Sequence, residues 1–420
     1  MATKDSLMAH AEPASLSEIA RNFFILGTTA FGGPPVHFGM FQERFVQKQQ
    51  WLTSERYMEL IAMANCLPGP SSTQVAFAIG ISQQGIMGGL AAGFMFLIPG
   101  AILMTCLGFV SASLREEMEE PRSIPNAVAI SCSAVGVALV FIAVSGLVKK
   151  IATGPLVSTI CFASAATCML LSPQPAWLNP ALIFAGGLIT CYFPVSNTDS
   201  AKNLTAAGKV GLNTSGGLFI FGLYVVMAVF TMYKAATDRG PFISFLTAGM
   251  FVWGGGPVVL PMLMTVLAPH FISQTIFLTG IALAEMMPGP VFNMSCFLGV
   301  QLALSSGMSW QLGTFMAWAG LVGPGVVLIF GAMPLWDKLR SFEAYQHALP
   351  GLNAAAVGLL VSTIFIVYGA LDERSPWPAG SRAMALCAYA AVEFLKIEVP
   401  YVVLGAGLLG AGAACAAQIF

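Results

Sequence analysis

Residues 60–80 read LIAMANCLPGPSSTQVAFAIG, a stretch apolar enough to cross a bilayer yet interrupted at its middle by Pro68, Gly69 and Pro70. Proline removes an amide donor and clashes with the preceding turn, and glycine accepts backbone angles that other residues avoid. The triplet therefore predicts a chain break between two half-helices, residues 57–66 and 71–81. Unpaired backbone groups in hydrocarbon cost several kcal/mol each, so a break at that depth survives only where protein or a water-filled cavity covers it. The break is expected to face inward. There it presents a helix N-terminus, whose free N–H groups carry about half a positive charge and attract anions. Ser71, Ser72 and Thr73 add hydroxyl donors at that end, and Asn65 and Gln74 flank it with amides.

The rest of the chain agrees with a membrane setting. Of its 420 residues 57% are hydrophobic and 9% charged, against about a quarter charged in a soluble domain. Apolar runs near the length needed to span a bilayer fall at 22–41, 57–81, 86–114, 124–148, 153–172 and 178–195, then at 217–235, 242–268, 275–303, 310–335, 350–370, 380–396 and 399–418. The fold class is an all-α, polytopic, multi-pass membrane protein, with the cell membrane as its expected home. A net charge of -1 with no basic patch excludes nucleic acid as a partner. The polar residues 1–20 lack the apolar core of a cleaved signal, so the first span is expected to do the targeting. Nine cysteines without C-x-x-C spacing speak against a metal site or a disulfide framework, and no cofactor motif stands out.

Landmarks recur at a nearly constant offset. FGGP at 31–34 pairs with GGGP at 254–257, LPGP at 67–70 with MPGP at 287–290, Pro99-Gly100 with Pro324-Gly325, and Ala134-Val-Gly with Ala356-Val-Gly. Pro180 pairs with Pro400, and all five offsets lie between 220 and 225. Two homologous halves are the reading, residues 1–195 and 241–420, joined by residues 196–240, a polar linker with one extra transmembrane helix. One extra span between halves of even span number turns the second upside down, so the repeats are expected to be inverted, with the working site at their interface near the midplane. Broken or re-entrant helices are expected at the P-G-P and G-G-P motifs.

The second copy of the break, Pro288-Gly289-Pro290, carries Asn293 and Ser295 as its polar groups. Two opposed half-helix ends would hold an oxoanion without a fixed lysine or arginine, with moderate affinity suited to release. Gly32 and Gly33, and in the second copy Gly255 and Gly256, are expected to line the same cavity. Ionisable residues in apolar segments point to function. Glu285, three residues before Pro288, is the first candidate for proton coupling, and His37 after the first G-G-P is the second. The stretch 40–57, MFQERFVQKQQWLTSERY, reads as an interfacial helix with Phe41, Phe45 and Trp51 on its apolar side and Glu43, Arg44, Lys48 and Arg56 on its wet side. Arg44 and Lys48 there could steer an anion toward the mouth.

Together FGGPPVHFGMFQERFV, CLPGPSSTQVAFAIG, FLIPG, GGGPVVLP and AEMMPGPVFNMSCFLG resemble the chromate ion transporters, over nearly the whole chain and in the form that fuses two homologous domains. Asn65 stands where that family commonly has glutamine, and Pro257 where it often has histidine. The resemblance implies transport of chromate linked to the proton motive force, with sulfate as the related tetrahedral dianion, and a homodimer is possible. The competing readings are an uncoupled anion channel or uniporter and, in another class, an intramembrane enzyme acting on an anionic lipid head group. The enzyme reading is disfavoured because no H-E-x-x-H, G-x-S-x-G or carboxylate cluster is present.

Overall fold

The computed structural model describes residues 13–113, 120, 123–171, 178–195, 213–237, 240–251, 267, 271, 272, 276, 277, 280, 283, 284, 287–339 and 342–419. All regular structure among these residues is helical. The first half contains α1 (Leu16–Thr29), α2 (Gly33–Phe41) with a π-helical continuation (Gln42–Lys48), α3 (Ser54–Cys66), α4 (Ser71–Ser113), α5 (Ile124–Ile151), α6 (Pro155–Leu170) and α7 (Leu178–Tyr192). After α8 (Thr214–Thr237) come α9 (Pro241–Phe251), a 3-10 turn (Val291–Asn293), α10 (Met294–Ser306), α11 (Trp310–Leu339), α12 (Glu343–Arg374), α13 (Pro378–Glu393) and α14 (Val399–Ile419).

Local chemistry sets the helix ends. Ser15 and Glu18 have the spacing of a capping box, and Ser15 Oγ accepts the Glu18 amide at 3.3 Å. Thr53 caps α3 through the Arg56 amide at 3.2 Å. Within α4 the backbone leaves helical angles at Gln84 and Gly85, so 71–83 and 86–113 are separate arms. Gly80 and Gly88 meet across that bend, and Phe77 of the first arm packs on Phe94 of the second with ring centroids 5.7 Å apart. The arms run antiparallel. The second half repeats the contact: a Cβ added to Gly299 of α10 would lie 2.6 Å from the Gly313 carbonyl of α11. Without water to expel, helices in lipid associate through such small-residue contacts.

The opening helices form two V-shaped pairs. The first runs up α1 to Ala30 and returns along α2 and its π-helical continuation, where Phe45 stacks on Phe23 of α1 at 4.7 Å. The second runs up α3 to Cys66, breaks over residues 67–70, and returns along 71–83. Their open ends meet: Gln83 Nε2 donates to Trp51 O at 3.0 Å, and the Ala14 amide donates to Gln83 Oε1 at 3.3 Å. An arm of 13 residues is about 20 Å long, short of the roughly 30 Å hydrocarbon core. The stretch 40–57 is therefore not one interfacial helix. Phe41, Phe45 and Trp51 do share an apolar side, but that side packs on α1 and the helix stops at Lys48.

The later helices exchange partners between the halves. α5 packs against α13 and α14, α12 packs against α6 and α7, and α5 and α12 touch each other. A Cβ on Gly186 of α7 would stand 2.6 Å from the Gly351 carbonyl of α12, and one on Gly410 of α14 would stand 2.6 Å from the Ala127 carbonyl of α5. Thr190 reinforces the first contact by donating to Ala348 O at 3.1 Å and accepting the Gly351 amide at 3.2 Å. Among the described residues five helices are long and apolar enough to cross a membrane: Ser71–Ala112 (bent as above), Ile124–Lys149, Thr214–Lys234, Trp310–Trp336 and Gln346–Glu373. α8 leaves Phe219, Val226 and Val229 exposed on its flank, as a lipid-facing helix would.

Candidate functional site

The breaks converge. At the first P-G-P the chain leaves helix at Leu67 and resumes it at Ser71, with Gly69 at φ +117°. The first intrahelical bond of the new arm runs from the Gln74 amide to Pro70 O at 2.9 Å, so the amides of Ser71, Ser72 and Thr73 precede any intrahelical acceptor. Ser71, Ser72, Thr73 and Gln74 are each no more than 4% exposed. At the second P-G-P, Gly289 has φ +96°, and Asn293 and Ser295 are equally enclosed.

One hydrogen-bonded chain links three of the motifs. The Gly289 amide donates to Ala30 O at 2.8 Å, across the two halves. His37 Nε2 donates to the same oxygen at 3.1 Å, and His37 Nδ1 stands 3.0 Å from Ser72 Oγ. His37 is fully buried, edge-on to Phe96 at 5.2 Å. Gly32, at φ +94°, is the left-handed residue that lets α2 start at Gly33 and swing His37 back under α1.

Two carboxamides brace the breaks, each onto the opposite half. Gln74 Nε2 donates to Pro68 O at 2.9 Å and to Gly325 O at 3.2 Å, while Asn293 Nδ2 donates to Leu97 O at 3.1 Å. Carbonyls only accept, so the side-chain nitrogens must point at them. The matched Pro-Gly pairs supply the room: a Cβ on Gly69 would stand 3.0 Å from Gly325 Cα, and one on Gly100 would stand 2.7 Å from Pro288 O. Gln74 Oε1, Asn293 Oδ1, Thr73 Oγ1 and Asn65 Nδ2 are buried without a hydrogen-bond partner among the described residues.

Other expected residues lie elsewhere. Arg44 Nε donates to Asn22 Oδ1 on α1 at 2.8 Å, and Lys48 pairs with Glu43 at 2.7 Å on an exposed surface. Neither lies at the breaks. Arg56, expected on the wet side, is buried instead, with its guanidinium 3.0 Å from the equally buried carboxylate of Glu59. Burial in the first turns of α3, a helix that packs against α4 and α12, is what enforces that pairing. Gly255, Gly256 and Glu285 lie outside the described residues. Sequence reasoning passed over Ala30, whose contribution is a backbone carbonyl, and Glu59, which an ionisable residue inside the 57–81 span could have signalled.

Comparison with known proteins adds the family. The description "Chromate transporter" matches residues 17–191 and again 241–411. The chain is 26% identical over 421 residues to the "Chromate transport protein" of Pseudomonas aeruginosa, covering 97% of this chain and 95% of that one. It is 25% identical over 406 residues to the protein of the same name from Cupriavidus metallidurans, covering 96% and 94%. A "Probable chromate transport protein" of Synechococcus elongatus is 25% identical over 373 residues, covering 87% and 88%. No solved structure matches the chain. Two matched halves, near end-to-end similarity and apolar helices of spanning length give one conclusion: the chain is a multi-pass integral membrane protein belonging to the chromate transporter family.

Proposed function

We propose that this chain is a secondary active transporter that moves chromate, and the related dianion sulfate, across the cell membrane in step with protons. The observation that carries the reading is the bonded chain from Ser72 through His37 and Ala30 O to Gly289, which joins the tips of both P-G-P breaks inside the protein. The names of the relatives, all transport proteins, favour transport over an enzyme. In this reading residues 1–195 and 241–420 are inverted repeats joined by 196–240, and the V-shaped pairs are re-entrant. The amides of Ser71, Ser72 and Thr73 and the hydroxyls of Ser71, Ser72, Thr73 and Ser295 take the oxoanion. Gln74 and Asn293, each bonded through its nitrogen to a carbonyl of the opposite half, hold the breaks in register. Glu285 and His37 carry the coupled proton, and Arg44 is too firmly held by Asn22 to do more than bias the local field.

The test is uptake of labelled chromate by liposomes containing the purified protein. An imposed pH gradient is expected to drive chromate beyond electrochemical equilibrium, and excess sulfate to compete. Flux indifferent to both pH and voltage overturns the coupling and leaves a uniporter or channel. Competition by phosphate as strong as by sulfate overturns the stated anion preference.

A further inference from the structure

The bonds around His37 fix the direction of every proton in them. Ala30 O can only accept, so in the neutral ring Nε2 carries the hydrogen and Nδ1 is an acceptor. Ser72 must then commit its single hydroxyl hydrogen to Nδ1, 3.0 Å away, and has only lone pairs to offer elsewhere. A second proton on the ring reverses that bond: Nδ1–H donates to Ser72 Oγ, and the hydroxyl hydrogen is free to turn to another group.

We propose that His37 selects the polarity of Ser72, so that a tetrahedral dianion finds a hydroxyl donor there only when the imidazole is protonated. The inference rests on the transporter reading and adds to it the atoms through which one proton and one anion favour each other's binding. Reciprocal linkage means each raises the other's affinity by the same factor. The proton comes from water, resides on the ring while the anion is bound, and leaves with it, so charge and atoms balance.

Two further observations place Ser72 at an anion site. The amides of Ser71, Ser72 and Thr73 precede the first intrahelical bond, and the next hydroxyl, Thr73 Oγ1, is fully buried without a partner among the described residues. The described groups around the ring are the Ala30 carbonyl from α1, Ser72 and the Phe96 ring from α4, and the Phe41 ring from α2 itself; none is charged. The titratable residues of the elements packed on α2 are Glu18 and Arg21 of α1, Glu43, Arg44 and Lys48 of the π-helical continuation, Cys106 of α4, and Cys132, Lys149 and Lys150 of α5. Glu285 lies outside the described residues.

Calorimetric titration of sulfate into the protein in nanodiscs, in buffers of differing ionisation enthalpy, reads affinity and proton uptake together. Sulfate stays a dianion between about pH 5 and 8, the range in which histidine acts as a switch, so a proton taken up belongs to the protein. Wild type is expected to take up close to one proton per anion on the alkaline side, with affinity falling up to about tenfold per pH unit there. His37→Gln keeps an N–H for Ala30 O and cannot titrate, so its sulfate affinity is expected to be flat with pH. Ser72→Ala is expected to lose most of the proton uptake, and Ser72→Thr to retain it, each variant being checked for a monodisperse profile. Should Ser72→Ala misfold, the Ser72→Thr and His37→Gln comparison decides alone. Proton uptake by Ser72→Ala equal to wild type overturns the relay, because the ring then acts through charge only. Binding without uptake in wild type overturns it too. Failure of wild type to bind either sulfate or chromate overturns the transporter reading, and this inference with it. If chromate alone binds, the slope of wild type against His37→Gln is compared, since chromate's own protonation affects both alike.

Discussion

Gly69 sits at φ +117°, and an added Cβ would press on Gly325 Cα of the other half at 3.0 Å. An L side chain in left-handed backbone costs about 1–2 kcal/mol, and here backbone rather than a flexible side-chain tip would have to yield. Gly69→Ala is therefore expected to lower the thermal midpoint of the detergent-purified protein more than Gly289→Ala, whose nearest obstacle is the movable Asn293 amide at 3.3 Å. Equal loss from the two would contradict this account. The buried Arg56–Glu59 pair makes a second residue-scale prediction. Breaking a buried ion pair by removing one partner costs about 3–5 kcal/mol, so Glu59→Gln and Arg56→Met are each expected to destabilise more than the double change. Thermal unfolding of the three variants checks it. The glycine positions were legible in the sequence because proline and glycine act through their own backbone. Arg56 was not, because its burial depends on how α3 packs against other elements such as α4 and α12, and nothing within residues 40–57 encodes that packing.

Among elements, the braces decide whether each break keeps its shape. Gln74 and Asn293 do the same task from opposite halves, each giving its nitrogen to a carbonyl beside the other half's Pro-Gly step. Leucine at either position removes the side-chain hydrogen bond to a helix carbonyl of the other half, a loss of about 0.5–1.5 kcal/mol. Gln74→Leu and Asn293→Leu are expected to reduce chromate uptake in liposomes to a similar degree, and a large asymmetry would show that the two braces are not equivalent. The sequence marked where the helices stop and raised broken or re-entrant helices there, but not which residues bring the two arms of each pair together. That return depends on contacts between distant residues, Gln83 with Trp51 and Gly80 with Gly88, which no local propensity announces. It also explains why residues 40–57 misled: their apolar side is complementary to Phe23 rather than to a membrane surface.

In the whole molecule, the five recurring landmarks led to a reading of two halves, and one family description matches residues 17–191 and again 241–411. The exchange of partners, α5 with α13 and α14, and α12 with α6 and α7, could not be read from those landmarks, since periodicity reports a helix's own face and not its neighbour. The exchange predicts that a protease site inserted between residues 196 and 212 can be cut without loss of assembly, with both fragments eluting together from size exclusion in mild detergent. Separate elution would show that each half stands alone.

The Ala30 oxygen has two lone pairs, and a donor from each half of the chain fills one of them. Neither half can tilt at this point without either stretching its own link to that atom or dragging the imidazole along. If the proposed transport cycle proceeds by a rocking of one half against the other, that motion would be registered at His37 within a single atomic contact, and the protonation state of one ring would report which way the gate faces.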